Sequence, residues 1–264
     1  MGLDCSNYWF YEFAGEENKK YQRLFLLHAE TKEFKENVEE AKLLIEDAFK
    51  KYPKWYLAYS GGKDSTAVMG LLWEMGLNKE VELFNICDDR AFSFHISYIK
   101  MIAEKYEFKL DLRYLGNTTD LDFRLDESSS KQLPELAKKI DEIRDEKNKN
   151  AGAFMGLRAQ ESKKRKFLWS KTLGVAEMKK NGMWYCNPIM RWSCNDVFAF
   201  LLTRKIPIVD VYRRTHLWGG PCKIRYHDAT PRNFASEGQA IWLRHHYPEE
   251  FFRLAKKHPE IMNY

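Results

Sequence analysis

Apolar positions along this chain follow two different periods. Over residues 31–52, Phe34, Val38, Ala41, Ile45, Ala48, Phe49 and Tyr52 recur at spacings of three and four. That spacing predicts an amphipathic helix, and Pro53 stops it. Residues 16–30 predict another helix ahead of it. The pattern then changes. Trp55–Tyr59 is an apolar, aromatic run of strand length, and Thr66–Leu72 reads as a buried helix. Val81–Ile86 predicts a second strand, Ser93–Tyr106 a helix and Lys109–Tyr114 a third strand. Ala151–Leu157 and Met183–Ile189 are further strand-like runs. Strands and helices alternating at this spacing predict an α/β fold with a parallel twisted sheet and helices on both faces.

Other stretches depart from this alternation. Residues 116–130 are polar and read as a loop, and Lys131–Lys149 is a charged, exposed helix, either a lid or a solvated insertion. Ser193 with Asp196 three residues later resembles a capping box and opens a helix that ends before Pro207. Ala240–His245 and Pro248–Lys257 predict amphipathic helices. The expected organisation is an N-terminal helical segment (1–52), an α/β domain (53–215) and a helical C-terminal extension (216–264).

The chemistry concentrates between the first strand and its helix, at Ser60-Gly61-Gly62-Lys63-Asp64-Ser65. A strand, a tight glycine turn and a helix start make an anion site. Backbone N–H groups at the helix N-terminus point outward, and the helix dipole adds positive charge. Gly61 and Gly62 let the backbone approach an anion closely. Ser60 and Ser65 can donate hydroxyl hydrogen bonds, Lys63 adds a point charge, and Asp64 can hold a hydrated Mg²⁺. The run is neither G-x-x-x-x-G-K-[ST] nor G-x-G-x-x-G.

Two other strand ends carry polar residues where open α/β sheets bind ligands. One is Cys87-Asp88-Asp89-Arg90. The other is Arg158-Ala159-Gln160-Glu161-Ser162 followed by basic residues, where Arg158 and Arg165 would clamp phosphate or sulfate bidentately and Glu161 would orient one of them. Further along, Arg213, Arg214, Lys223, Arg225 and Arg232 lie among aromatics. That mixture suits either a grip on a polyanion such as nucleic acid or a helical cap.

Composition narrows the setting. The chain has 264 residues, 44% hydrophobic and 15% aromatic, enough for a sizeable core. Its net charge of +5 suits a polyanionic ligand without pointing to nucleic acid. Five cysteines, none spaced C-x-x-C, read as a reducing, cytoplasmic compartment. The start shows no signal-peptide pattern, and no apolar run approaches membrane-span length, so no membrane association is expected.

The run Ser60–Ser65 resembles the S-G-G-x-D-S loop of the PP-loop ATP pyrophosphatase superfamily. With it stand Gly156-Leu157-Arg158-Ala159-Gln160-Glu161-Ser162 and Arg165, then Asn187-Pro188-Ile189, Trp192, Asp196-Val197-Phe198 and Ile206-Pro207. Together these resemble the phosphoadenylyl-sulfate (PAPS) reductase branch. The resemblance implies a Rossmann-like, adenine nucleotide alpha hydrolase-like fold, with ATP and Mg²⁺ as cofactors and Asp64 as the metal residue. It implies cleavage of ATP to AMP and pyrophosphate with adenylation of an acceptor. Ser60, Gly61, Gly62, Lys63, Asp64 and Ser65 would hold the phosphates. The backbone of Ala58 and Tyr59 would pass the adenosine, with Asp88 or Asp89 closing its other side. Gly156, Arg158 and Glu161 complete the expected nucleotide site, and Lys63, Asp64, Arg158 and Arg165 the catalytic set. Expected partners are an adenine nucleotide, a nucleic acid or sulfur-carrier protein, and a second copy of the chain.

Departures keep other readings open. Reductases of the branch carry a C-terminal E-C-G-L-H, whereas this chain reads His258-Pro259-Glu260-Ile261-Met262-Asn263-Tyr264. Where some relatives have G-C-x-x-C, it reads Gly220-Pro221-Cys222-Lys223-Ile224-Arg225. One alternative is a sulfonucleotide reductase using an internal cysteine. Another is a nucleotide-binding regulatory or DNA-associated protein without turnover. Cys186, Cys194 and Cys222 are candidates for a metal or cluster site.

Overall fold

The computed structural model describes residues 9–13, 15–116, 129–172, 174–178, 183–214, 220–224 and 238–263. In chain order the elements are β1 (Trp9–Phe10), α1 (Glu16–Ala29), α2 (Lys32–Lys51), β2 (Trp55–Ala58), α3 (Lys63–Glu74), β3 (Glu82–Cys87), α4 (Ser93–Lys105) and β4 (Leu110–Tyr114). Then come α5 (Ser129–Asn148), β5 (Gly152–Phe154), α6 (Lys163–Thr172), β6 (Val175–Met178), β7 (Met183–Cys186), α7 (Cys194–Thr203), β8 (Ile208–Val209), α8 (Gln239–His246) and α9 (Pro248–Lys257). Short 3₁₀ turns at Ala159–Glu161, Asp210–Arg213 and Pro221–Lys223 complete the parts that matter below.

Six strands form one sheet in the order β4-β3-β2-β5-β7-β6. Strand β2 pairs parallel with β3 (Tyr56 beside Glu82, Ala58 beside Phe84) and with β5 (Trp55 beside Gly152, Leu57 beside Phe154). β5 pairs parallel with β7. The sheet is parallel as expected over these strands and gains an antiparallel strand at its edge, where β6 runs against β7. Val175–Met178 is four residues with one charge, too short a signal to show an added strand. β1 and β8 make a separate antiparallel pair of two residues each, which no periodicity could reveal.

Alternation along β2 sends neighbouring side chains to opposite faces. The hydroxyl of Tyr56 donates to Asn148 Oδ1 at the end of α5, 2.7 Å away. On the other face Phe154, the register partner of Leu57, meets Phe49 of α2 with ring centroids 6.0 Å apart. Helices therefore cover both faces.

The predicted strand over Ala151–Leu157 shortens to Gly152–Phe154 because the chain leaves the sheet to pass over α3. The predicted N-cap of α7 is present in full: Ser193 accepts from Asp196 N at 3.1 Å, and Asp196 accepts from Ser193 N at 2.6 Å. Asp196 also takes a hydrogen bond from His28 at 2.8 Å, which ties α7 to α1. Phe25 stacks on Phe198 at 4.9 Å between the same two helices.

The chain divides into two compact units. One comprises Met1–Asn85, Ser97–Asp111 and Lys147–Ile224; the other comprises Ile86–Ile96, Leu112–Glu146 and Arg225–Tyr264. Within the second, Arg253 binds Glu250 at 2.9 Å and the carbonyls of Asp89 and Ala91 at 3.1 and 2.9 Å. Phe94 stacks on Tyr247 at 4.6 Å. No helix among the described residues is long and apolar enough to cross a membrane.

Candidate functional site

Strand β2 delivers the loop. Gly61 has φ 71°, a conformation that costs a side chain-bearing residue strain. Gly62 caps α3 from extended backbone without a side-chain cap. The loop braces itself: Gly62 N donates to Ser60 Oγ at 3.3 Å, the Ser60 and Ser65 hydroxyls are 3.0 Å apart, and Ser65 Oγ donates to Gly62 O at 3.1 Å. Tyr212, from the turn after β8, accepts from Lys63 N at 3.1 Å and so fixes the first residue of the helix. The first N–H groups of a helix have no intrahelical partner and supply its anion-binding end.

β5 lies beside β2 and runs the same way, so both strand ends open on one edge. The order of strands reverses there: α3 leads from β2 to β3 on one side, while β5 pairs on the other. That switch point is where open α/β sheets take ligands. Gly156 leaves β5 directly over the helix start. A Cβ there would stand 2.7 Å from both Asp64 C and Ser65 N, backbone atoms that cannot swing away. Only a glycine permits this approach.

Two residues further on, Arg158 enters the same site. Its Nε is 2.7 Å from Asp64 Oδ1, while Lys63 Nζ is 2.7 Å from Asp64 Oδ2. Arg158 Nη1 donates to Gln160 Oε1 at 3.2 Å, and Arg158 Nη2 lies 3.5 Å from Glu161. Glu161 in turn pairs with Arg165. Lys63 and Arg158 are only 6% and 4% exposed, so these charges are held in fixed positions. Burial alone would lower the Lys63 ammonium pKa; Tyr212 once ionised, and Asp64, outweigh it, and the net direction is up. Burial pushes the Tyr212 phenol up.

The expected residues Ser60, Gly61, Gly62, Lys63, Asp64, Ser65, Gly156, Arg158, Glu161 and Arg165 thus fall in one constellation of the first unit. Ala58 ends β2, next to it. Tyr59 has its N–H on Phe84 O at 2.8 Å and its carbonyl on Asn85 Nδ2 at 2.8 Å, so its backbone is engaged in the sheet. Asp88 and Asp89 belong to the second unit. Asp88 holds Arg90 (Nε–Oδ1 3.0 Å), and Asp89 holds Lys257 at 3.2 Å.

Both oxygens of Asp64 face cations, Lys63 and Arg158, and among the described residues no group of three or more His, Cys, Asp or Glu could hold a metal. The three cysteines do not come together as a metal site among the described residues. Buried Cys186 directs its thiol to Leu44 O at 3.7 Å, whereas Cys222 Sγ lies 3.9 Å from Asn195 Oδ1. Arg213 and Arg214 both bind the buried carboxylate of Asp210, Arg214 at 2.9 Å, which braces the turn internally. Arg225 and Arg232 lie outside the described residues. Tyr212 and Gln160 are the site residues that sequence reasoning missed. Nothing in one sequence ties residue 212 to residue 63, although its place in an aromatic and basic run was a signal.

Strand, glycine turn and helix, closed over by the glycine and arginine of a neighbouring strand end, define a PP-loop protein with a Rossmann-like, adenine nucleotide alpha hydrolase-like fold. The chain belongs to the phosphoadenosine phosphosulfate reductase domain family, whose model matches residues 54–238. Similar solved structures include a phosphoadenylyl-sulfate reductase from Candida auris in a phosphate complex (14% identity, TM-score 0.49, 75% of this chain and 91% of that one). An FMN adenylyltransferase from Candida glabrata with FAD and inorganic pyrophosphate is similar at 15% identity and TM-score 0.48, over 86% and 88% of the two chains. The U34-tRNA thiolase NcsA of Methanococcus maripaludis, with its [4Fe-4S] cluster, is similar at 15% identity and TM-score 0.44, over 86% and 79%. No curated protein matches the chain.

Proposed function

We propose that this protein is an ATP-dependent PP-loop enzyme that cleaves ATP between its α- and β-phosphates and adenylates an acceptor. The observation that carries this reading is the Gly156 crossing: it brings Arg158 onto Asp64 while the N-terminus of α3 keeps its hydroxyls and glycines together. The loop hydroxyls of Ser60 and Ser65 and the helix N-terminus take the β- and γ-phosphates. Lys63 and Arg158 are held on Asp64 until the nucleotide arrives, and its phosphate oxygens then compete with that carboxylate for the same donors. An acceptor oxygen attacks the α-phosphorus, the bond from phosphorus to the bridging oxygen breaks, and pyrophosphate leaves with the bond's electron pair. Fixed cations and N–H dipoles stabilise the charge that develops on it. No step runs through a metal on Asp64. The adenine nucleotide is the small-molecule partner, and the acceptor is a nucleic-acid or sulfur-carrier group in the cytoplasm.

Label transfer tests this. ATP labelled on its α-phosphate is incubated with the protein and, separately, with RNA, DNA or a thiol-bearing carrier protein. Label on one acceptor class supports adenylation. Label on none, with ADP as the product, contradicts it.

A further inference from the structure

Tyr59, Tyr98 and Tyr212 bring buried phenols to the first turn of α3. Two of them spend their hydroxyls inside the protein. Tyr98 donates to Pro207 O at 2.7 Å, and Tyr59 shares a hydrogen bond with Thr66 at 3.2 Å. Tyr212 differs. Its Oη accepts from Lys63 N at 3.1 Å, and among the described residues nothing accepts the proton of its own hydroxyl. A phenol is a donor as well as an acceptor, and a buried donor without an acceptor is costly. Tyr212 is only 2% exposed.

The place of that hydroxyl indicates what would accept its proton. A Cβ on Gly62 would stand 3.4 Å from Tyr212 Oη, and Lys63 Nζ lies 5.6 Å from the centre of the Tyr212 ring. The hydroxyl therefore sits at the N-terminal end of α3, beside the glycine that opens the helix without a side-chain cap. The turn that carries it is fixed. Buried Asp210 holds Arg213 and Arg214, and Asn18 of α1 donates to Arg213 O at 3.1 Å.

We propose that Tyr212 is a phosphate-binding residue, whose hydroxyl accepts the N–H of Lys63 and donates its own proton to an oxygen of the β- or γ-phosphate. This role rests on the ATP site proposed above. Lys63 N–H, the phenol and the phosphate oxygen form a chain in which each hydrogen bond polarises the next. Burial pushes the phenol pKa up, so the proton is in place at neutral pH. AMP carries no phosphate beyond the α-position and gives this donor no acceptor. The hydroxyl thus distinguishes ligands with the pyrophosphate half from those without it. A phenol that only capped Lys63 N would act in the opposite direction, because its loss would release a backbone donor to the phosphate.

The test is calorimetric titration of the full chain with inorganic pyrophosphate, ATP and AMP, for the wild type, Tyr212→Phe and Tyr98→Phe. Thermal unfolding without ligand checks that each variant is folded. Tyr98→Phe is the control, since it removes a buried phenol near the same helix turn whose proton is already spent on Pro207 O. Tyr212→Phe keeps the ring under Lys63 and should bind pyrophosphate and ATP about tenfold to a hundredfold more weakly, the range for a hydrogen bond to a charged group. Its affinity for AMP should match the wild type, and Tyr98→Phe should keep all three affinities even where its melting temperature falls. Equal or tighter pyrophosphate binding by Tyr212→Phe overturns the proposal. So does an equal loss for all three ligands, which marks a distorted loop, or the same pyrophosphate loss in Tyr98→Phe. A wild type that binds neither pyrophosphate nor ATP overturns the ATP site itself, and this role with it.

Discussion

Arg158 Nε lies 2.7 Å from Asp64 Oδ1, joining the end of β5 to the start of α3 across 94 positions of sequence. Both groups are largely buried, so each depends on the other. Arg158→Ala leaves Asp64 with Lys63 alone and should destabilise the protein by about 3 kcal/mol, as for other broken buried pairs. Arg158→Lys keeps the charge but loses the fork that reaches Gln160, and should weaken ATP binding by about tenfold with a smaller stability loss. Urea unfolding and equilibrium nucleotide binding measure the two effects separately.

Gly156→Ala tests the crossing. The new methyl meets backbone at 2.7 Å, and the chain must shift to admit it. The expected cost is about 1–3 kcal/mol, the usual range for overpacking, together with loss of nucleotide affinity because Arg158 moves with the strand end. An unchanged melting temperature and affinity would show that the crossing is not tight in solution.

Asp196 tests the scaffold apart from the chemistry. Its carboxylate takes Ser193 N and His28 and is 2% exposed. Asp196→Ala should cost about 3 kcal/mol, since it removes a cap and orphans buried donors. Asp196→Asn, which keeps an acceptor, should cost less than half of that by thermal unfolding.

The pH dependence of the Lys63 ion pair follows from its raised pKa. A group raised on folding contributes fully below its unfolded value, 10.5 for lysine, and loses that contribution as pH rises through the folded value above it. The stability difference between wild type and Lys63→Met should therefore be constant over the neutral range and shrink only in strong alkali. A difference that falls already between neutral and mildly alkaline pH would mean that burial wins over Asp64 and Tyr212.

Much of this was readable in the sequence, for physical reasons. Helix α2 showed itself through six apolar residues on one face, and α7 through Ser193 and Asp196, because helix signals are local. The loop was legible because glycines, serines and a lysine at one strand end have few other uses. Interactions of long sequence separation were not legible. Asp64 gave no sign that Arg158 and Lys63 would face both its oxygens. Arg213 and Arg214 looked free for a polyanion because the acid they bind, Asp210, is distinguished from other acids only by its complete burial. The edge strand β6 was missed because four residues carry no period.

The central claim is cleavage of ATP at the α-phosphorus by the loop. The direct measurement is to incubate the protein with ATP and each acceptor class and to resolve nucleotides and pyrophosphate by anion exchange, beside a Lys63→Ala, Asp64→Ala double variant. The account predicts AMP and pyrophosphate in equal amounts from the wild type and neither from the variant. ADP and phosphate from the wild type, or AMP and pyrophosphate from both proteins alike, would contradict it.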